Sequence, residues 1–450
     1  MTSRNKHFRA RRLFQDDALN LKLERAGGPF GFLNPTRAHF LYSVLTTSKS
    51  GVTTTHAKVE PDRDFTKHDD SDPNYPAKHV RFLWRSRDNR KGRHALLVER
   101  PAPGEDSRFL VPRLTSHPRE VLRNIKKTFT YFPVWDISWL VAFIFTLGSM
   151  VWVLNGFFVW LPAVAPSTQF HNEILYGGGI TAFVGAIIFF ETGSILLVLE
   201  AINANNPGCF GWAVEQVLDH ENGGKSKVRV TANRHHCRHH HQNRHNFVGK
   251  SSPSTVPEVQ SAGPDAQNGQ SWQWFPSWHD LHTHYLHELG FLAGAVQLFG
   301  ATIFGISGFT ALPGIIDHLN SQSALNGAYW IPQVMGGSGF IVSSILYMLE
   351  TQKRWYIPAF RILGWHIGFW NLVGAVGFTL CGALGMAYGN SGAQYQAGLA
   401  TFWGSWAFLI GSYLQLYESL NKYPVEEMSK KRSSKPMKGQ RISNDLWGVT

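Results

Sequence analysis

The chain has 450 residues, with 43 Lys and Arg against 31 Asp and Glu, a net charge of +12 and three cysteines. Cys209, Cys237 and Cys381 are scattered, which excludes a disulfide framework and a CxxC zinc pair. The mean hydropathy of −0.17 suggests a soluble protein, but the apolar residues are clustered, so distribution rather than average decides the class.

Residues 1–133 are polar and basic. Their opening, MTSRNKHFRARRLF, has no apolar core of a secretory signal, and the alternative of a mitochondrial address is opposed by Asp16 and Asp17. HALLVER and RFLVPRL read as short strands and the remainder as loop or disorder. The basic residues are interleaved with acids, as in PDRDFTKHDDSD, with no recognition module. A solvated cytosolic segment is expected, and no nucleic-acid partner.

Six apolar runs follow, at 137–161, 176–199, 289–312, 330–349, 362–387 and 397–417, none containing Lys or Arg. A helix needs about 20 apolar residues to cross a bilayer core. The predicted fold is therefore an all-α integral membrane protein with six transmembrane helices and long, partly disordered cytosolic segments. Of the Lys and Arg, 26 precede the first run, seven lie in 204–286, three are Lys353, Arg354 and Arg361, and seven follow the last run. The connections PAVAPSTQFHNE, PGIIDHLNSQSALNGAY and YGNSGAQYQ carry none. That asymmetry predicts a multi-pass protein with both termini and the basic loops in the cytosol, and Trp135, Trp355, Trp365, Trp160 and Trp330 fall at the expected interfaces. Which membrane it occupies is not legible.

The loop at 204–286 holds a short helix around FGWAVEQVLDH, a His-rich tract HHCRHHHQNRH and a Ser/Pro/Gly/Gln linker. Imidazoles and a thiolate in that tract suit zinc or copper; the interleaved Arg makes incidental binding the expectation, so no cofactor is assigned. In WHDLHTHYLHELGF, a helix would set Asp280, His284 and His287 on one face as a metal set, or simply form an amphipathic lead-in. The tail at 422–450 includes SKKRSSKPMKGQR, a polybasic run suited to anionic lipid headgroups.

The apolar part repeats internally. TGSILLVLEAIN returns as VSSILYMLETQ and IGSYLQLYESLN, and LGSMVWVLNGFF matches FGATIFGISGF. The unit is a two-helix hairpin used at 134–203, 287–352 and 363–421, with a short loop at 353–362. Each hairpin starts and ends on the same side, so the repeats are parallel about an axis along the membrane normal. The Gly-Ser steps at Gly148-Ser149, Gly193-Ser194 and Gly411-Ser412 make this unit similar to the YrhK-like domain, with departures to Gly300-Ala301 and Ser343-Ser344 in the middle copy. The resemblance implies a membrane hairpin and no reaction.

Positions seven apart share a helix face. Ala186–Gly193–Glu200, Gly336–Ser343–Glu350 and Gly404–Gly411–Glu418 are each small, small, carboxylate. Small residues let backbones approach, so the stripes are expected to be packing seams. The glutamates sit at helix C-termini, where the macrodipole disfavours an anion. Each either pairs with a nearby base (Lys353, Arg354, Arg361 or Lys422) or joins an inner carboxylate ring lining a cation or proton path. Glu191 lies inside a span, where an acid is costly and a candidate for function; Asn155, Asn371 and Gln297 are its expected partners. No catalytic motif is present, and no enzyme activity is expected. Two functions remain: a conduit for a small solute, proton or metal ion, or a non-transporting scaffold whose cytosolic regions bind protein partners.

Overall fold

The computed structural model describes residues 21–43, 79–93, 97–98, 116–204, 206–221, 272–387, 389–420 and 422. RFLVPRL, the His-rich tract, the linker and the polybasic tail lie outside them.

The first elements form an antiparallel sheet. Strands β1 (Leu21–Gly27), β2 (Arg37–Ser43) and β3 (His79–Arg85) pair in sequence order. Ala38 faces Trp84 and Phe40 faces Phe82 across β2 and β3, and such apolar cross-strand pairs stabilise a sheet. Helix α1 (Ser86–Arg90) follows β3 without a break, and β4 (Leu97–Val98), within HALLVER, closes the edge against β3. The expectation of loop or disorder across residues 1–130 is thus corrected for this part, and the fold is not purely helical. The alternation is short and interrupted by charges, which hides it from a pattern search.

Helix α2 (Pro118–Thr130) precedes the long helices. Five helices are long and apolar enough to cross a membrane: α3 (Ile137–Val164), α4 (Glu173–Ile202) and, after α5 (Phe210–Glu221) and α6 (Trp278–Thr283), α7 (Leu289–Thr310), α8 (Gln322–Thr351) and α9 (Leu363–Gly385). The sixth long helix, α10 (Ser391–Leu420), spans 30 residues, about 45 Å of rise, and is more polar, with Gln394, Gln396 and Gln415. Two stretches of α4, Glu173–Gly178 and Val184–Glu191, and one of α8, Asn326–Trp330, are wound as π-helix.

The long helices pack in a closed ring, α3 on α4, then α7, α8, α9 and α10, with α10 returning to α3. Glycines set the close approaches. A Cβ on Gly336 would lie 2.6 Å from the backbone oxygen of Gly300, one on Gly193 2.9 Å from the Phe145 ring and one on Gly411 2.6 Å from Asn371 Oδ1. Ser343 donates to the Ala293 carbonyl at 2.8 Å, and Ala186 is fully buried. The small-residue stripes therefore lie at helix contacts, with Gly404 beside the Gly374 carbonyl.

Candidate functional site

The site begins where three of these helices end. Each repeated phrase places its glutamate seven residues beyond its Gly or Ser, in the last turn of α4, α8 or α10. Glu200, Glu350 and Glu418 are only 0 %, 3 % and 2 % exposed. Carboxylates so enclosed require paired cations.

Helix α1 supplies them. Arg90 Nη2 donates to Glu350 Oε2 at 2.7 Å and its Nε to Oε1 at 3.4 Å, while Nη1 reaches Glu200 Oε2 at 2.9 Å. Arg87 grips Glu418 with Nη2 at 2.7 Å and Nε at 3.2 Å. Lys91 Nζ lies 3.2 Å from Glu200 Oε1, and Arg93 Nη1 lies 3.3 Å from Glu418 Oε1 and 3.7 Å from Asp88 Oδ1. Ser138 and Ser86 donate to Glu200 and Glu350 respectively. Four cations from one short segment thus meet three helix-end carboxylates and Asp88. Forked arginine–carboxylate pairs of this kind are the stronger class of charge-assisted hydrogen bond.

The local chain makes the insertion possible. After α1 the backbone turns at Gly92, whose φ is +60°, and a Cβ there would strike the Pro207 ring. The turn returns Arg93 to the helix it has just left, its N–H donating to the Asp88 carbonyl at 2.9 Å. Arg37 of β2 adds a hydrogen bond to the Thr351 carbonyl, fastening the sheet to the end of α8.

Burial acts on these bases unequally. Desolvation alone would lower Arg90, but the carboxylates of Glu350 and Glu200 outweigh it and hold the guanidinium above its ordinary pKa. For Lys91 desolvation prevails over the pull of Glu200, with Arg90 and Arg87 adding repulsion, and its pKa falls to about 8.

Deeper along the axis lies a cavity of about 40 Å³, room for a few waters and not for an organic solute. Arg87, Arg90 and Lys91 form its floor, and Ser149, Gln297, Ser344, Asn371, Ser412 and Gln415 its polar walls. Beyond it two aromatic triangles fill the axis, with one ring from each long helix. Phe190, Phe340 and Phe408 stand 5.5–6.4 Å apart. Trp152, Phe304 and Phe378 stand 4.7–5.7 Å apart.

No protein-family model, curated protein or solved structure matches the chain.

Several expectations are corrected. The bases are not Lys353, Arg354, Arg361 or Lys422: Lys422 pairs with Asp136, and Arg354 donates to the Tyr356 hydroxyl. Glu191 does not meet Asn155, Asn371 or Gln297. Its Oε1 accepts from Thr302 at 2.9 Å on the outer side of the α4–α7 contact, away from the cavity. Asn155 instead donates to the Gly178 carbonyl and to Thr181, whereas Asn371 and Gln297 face the cavity. The helix expected to align Asp280, His284 and His287 stops at Thr283 and continues as a 3-10 turn at Tyr285–His287. Asp280 is engaged by Ser277, and His284 lies 2.7 Å from Glu288 without hydrogen-bond geometry. Among the described residues no group of three His, Cys, Asp or Glu side chains is placed to hold a metal.

Sequence reasoning missed Arg87, Arg90, Lys91 and Arg93. The available signal was a demand: three helix-end acids need three cations, and SRDNRKGR packs four basic residues into eight.

Proposed function

We propose that the chain is a six-span membrane protein built from three parallel hairpin repeats, a tandem array of the YrhK-like kind, and that it conducts a small cation or proton along the bundle axis. The observation that carries this reading is the convergence of Glu200, Glu350 and Glu418 on Arg87, Arg90 and Lys91, the bases that floor the axial cavity. Rings of acidic side chains select cations in pores, and hydrophobic constrictions gate by dewetting. Here both lie on one axis, so this is a closed state: Arg87, Arg90 and Lys91 occupy the carboxylates, and the aromatic triangles seal the middle.

The threefold repeat is supported by equal offsets. Relative to Gly193, Ser343 and Gly411, the aromatic triangle sits three residues before and the glutamates seven after. The charge asymmetry of the loops supports a cytosolic position for the carboxylate end, the sheet and both termini.

A second reading, a non-transporting scaffold that clamps its own cytosolic segment, is favoured by the aromatic closure and by the separation of Glu191 from the cavity. One experiment decides between them. The purified full chain is reconstituted in liposomes and potential-driven proton and cation flux is measured. The parent should be closed. A variant carrying Arg87→Gln, Arg90→Gln and Lys91→Gln together with Phe190→Ala, Phe340→Ala and Phe408→Ala should conduct. A folded variant that stays closed rejects the conduit in favour of the scaffold.

A further inference from the structure

Helix α2 has three distinct stripes. Glu120 and Asn124 are buried against the bundle, where Asn124 hydrogen-bonds Tyr417 and Lys127 donates to the Leu420 carbonyl at 3.3 Å. Leu122, Ile125 and Phe129 form an outward-facing apolar stripe, 69 %, 42 % and 75 % exposed. Arg119, Arg123 and Lys126 form an exposed basic stripe beside it. A soluble protein would turn such a helix the other way, apolar face inward. Here the polar face is docked on the protein and the apolar face turned out.

We propose that α2 lies in the plane of the membrane, with Leu122, Ile125 and Phe129 sunk among the acyl chains and Arg119, Arg123 and Lys126 against anionic headgroups. Its position requires that level. Only Tyr131–Asp136 separate it from the first residue of α3, and its docking partners, Tyr417 and Leu420, are in the last turns of α10. The connection itself carries exposed Phe132 and Val134, so exposed apolar side chains continue from α2 toward the start of α3. Amphipathic helices with a basic flank bind membrane surfaces in this manner, and clustered Lys and Arg add attraction to anionic lipid. The inference stands apart from the conduit reading, since it needs only that the bundle be embedded.

The test uses the full chain with its three cysteines replaced, reconstituted in phosphatidylcholine with and without phosphatidylserine. Spin labels are placed singly at Leu122→Cys, Phe129→Cys and Arg123→Cys, and collisions with oxygen and with a water-soluble nickel chelate are measured. The oxygen-to-nickel ratio should be severalfold higher at Leu122 and Phe129 than at Arg123. Omitting phosphatidylserine should lower it at Leu122. A ratio at Leu122 equal to that at Arg123 overturns the proposal, as does inaccessibility of Leu122 and Phe129 to both reagents, which would mean that protein covers the face. An unchanged ratio without phosphatidylserine overturns the headgroup contact.

Discussion

Arg90 and Glu350 are 260 positions apart in the chain and meet through two hydrogen bonds in a setting from which water is almost excluded. Arg90 is also shared with Glu200, so one guanidinium joins the ends of α4 and α8. Removing it while both carboxylates stay charged leaves Glu350 buried without its counter-ion and Glu200 with Lys91 alone, a loss of about 3–5 kcal/mol. Arg90→Ala should therefore lower thermal stability in detergent far more than Arg90→Gln combined with Glu350→Gln. Similar melting temperatures for the two variants would mean that the cluster is more hydrated than its geometry indicates.

The second expectation concerns pH. Lys91 has a pKa of about 8 in the folded chain against an ordinary value of 10.5. Between these limits the unfolded chain holds more protons, so stability rises with pH. The penalty of a charged, buried Lys91 is present in full below pH 8 and is relieved between about pH 8 and 10.5. Arg87 and Arg90 remain charged throughout and keep the carboxylates paired. Melting temperatures between pH 7 and pH 10 should rise in the parent and be flatter in Lys91→Met; a parent that loses stability over this range contradicts the assignment.

The cluster shows where sequence reasoning stops. The long helices, the seven-residue stripes and an acid at the end of each were legible because helical period and bilayer thickness act locally; whether the three acids converge was not. Nor was the partner. Basic residues at the spacing of Arg87, Arg90 and Lys91 ordinarily decorate a solvated face, and nothing local in SRDNRKGR distinguishes insertion from exposure. The link between β3, α1 and three distant helix ends is a property of the tertiary fold alone. The same holds for Glu191: a span position was apparent, but which neighbour its face meets depends on the π-wound turn from Val184 to Glu191, which shifts the phase of the helix.

The glycines differ in what blocks them. At Gly336 the obstacle is backbone, the Gly300 carbonyl oxygen at 2.6 Å, whereas at Gly193 it is the end of the Phe145 ring. A ring can tilt and a helix backbone cannot yield without parting the pair. Gly336→Ala should thus cost about 2 kcal/mol or more, within the range for overpacking, and Gly193→Ala less. Folded yield and melting temperature check the order, and equal effects would show that the α7–α8 contact is looser than described.

Sidedness has a direct readout. Ser167, Ser323 and Ser391 are all exposed and lie at the ends of helix pairs remote from the carboxylates. Single cysteines at these positions should react with a membrane-impermeant reagent only from the non-cytosolic side. Labelling of all three from the cytosol would invert the orientation and move the sheet to the other face.

Glu191 tests the course of the pathway. It accepts a hydrogen bond from Thr302 on α7, and its second oxygen has no hydrogen-bond partner among the described residues. The axial cavity is lined by Gln297 and Asn371 but not by Glu191. If conduction follows the axis, Glu191 supports the α4–α7 contact and takes no part in transport. Glu191→Gln keeps an oxygen for Thr302 and should fold normally. Thr302→Val removes the donor and should cost about 0.6 kcal/mol, the average for hydrogen bonds between membrane helices. Neither change should alter cation flux in the opened variant that lacks the Arg87, Arg90 and Lys91 charges and the Phe190 triangle. Loss of flux on Glu191→Gln in that folded background would place the conducting route in the crevice between α4 and α7, where the carboxylate faces Thr302, and would remove the axial ring from the mechanism.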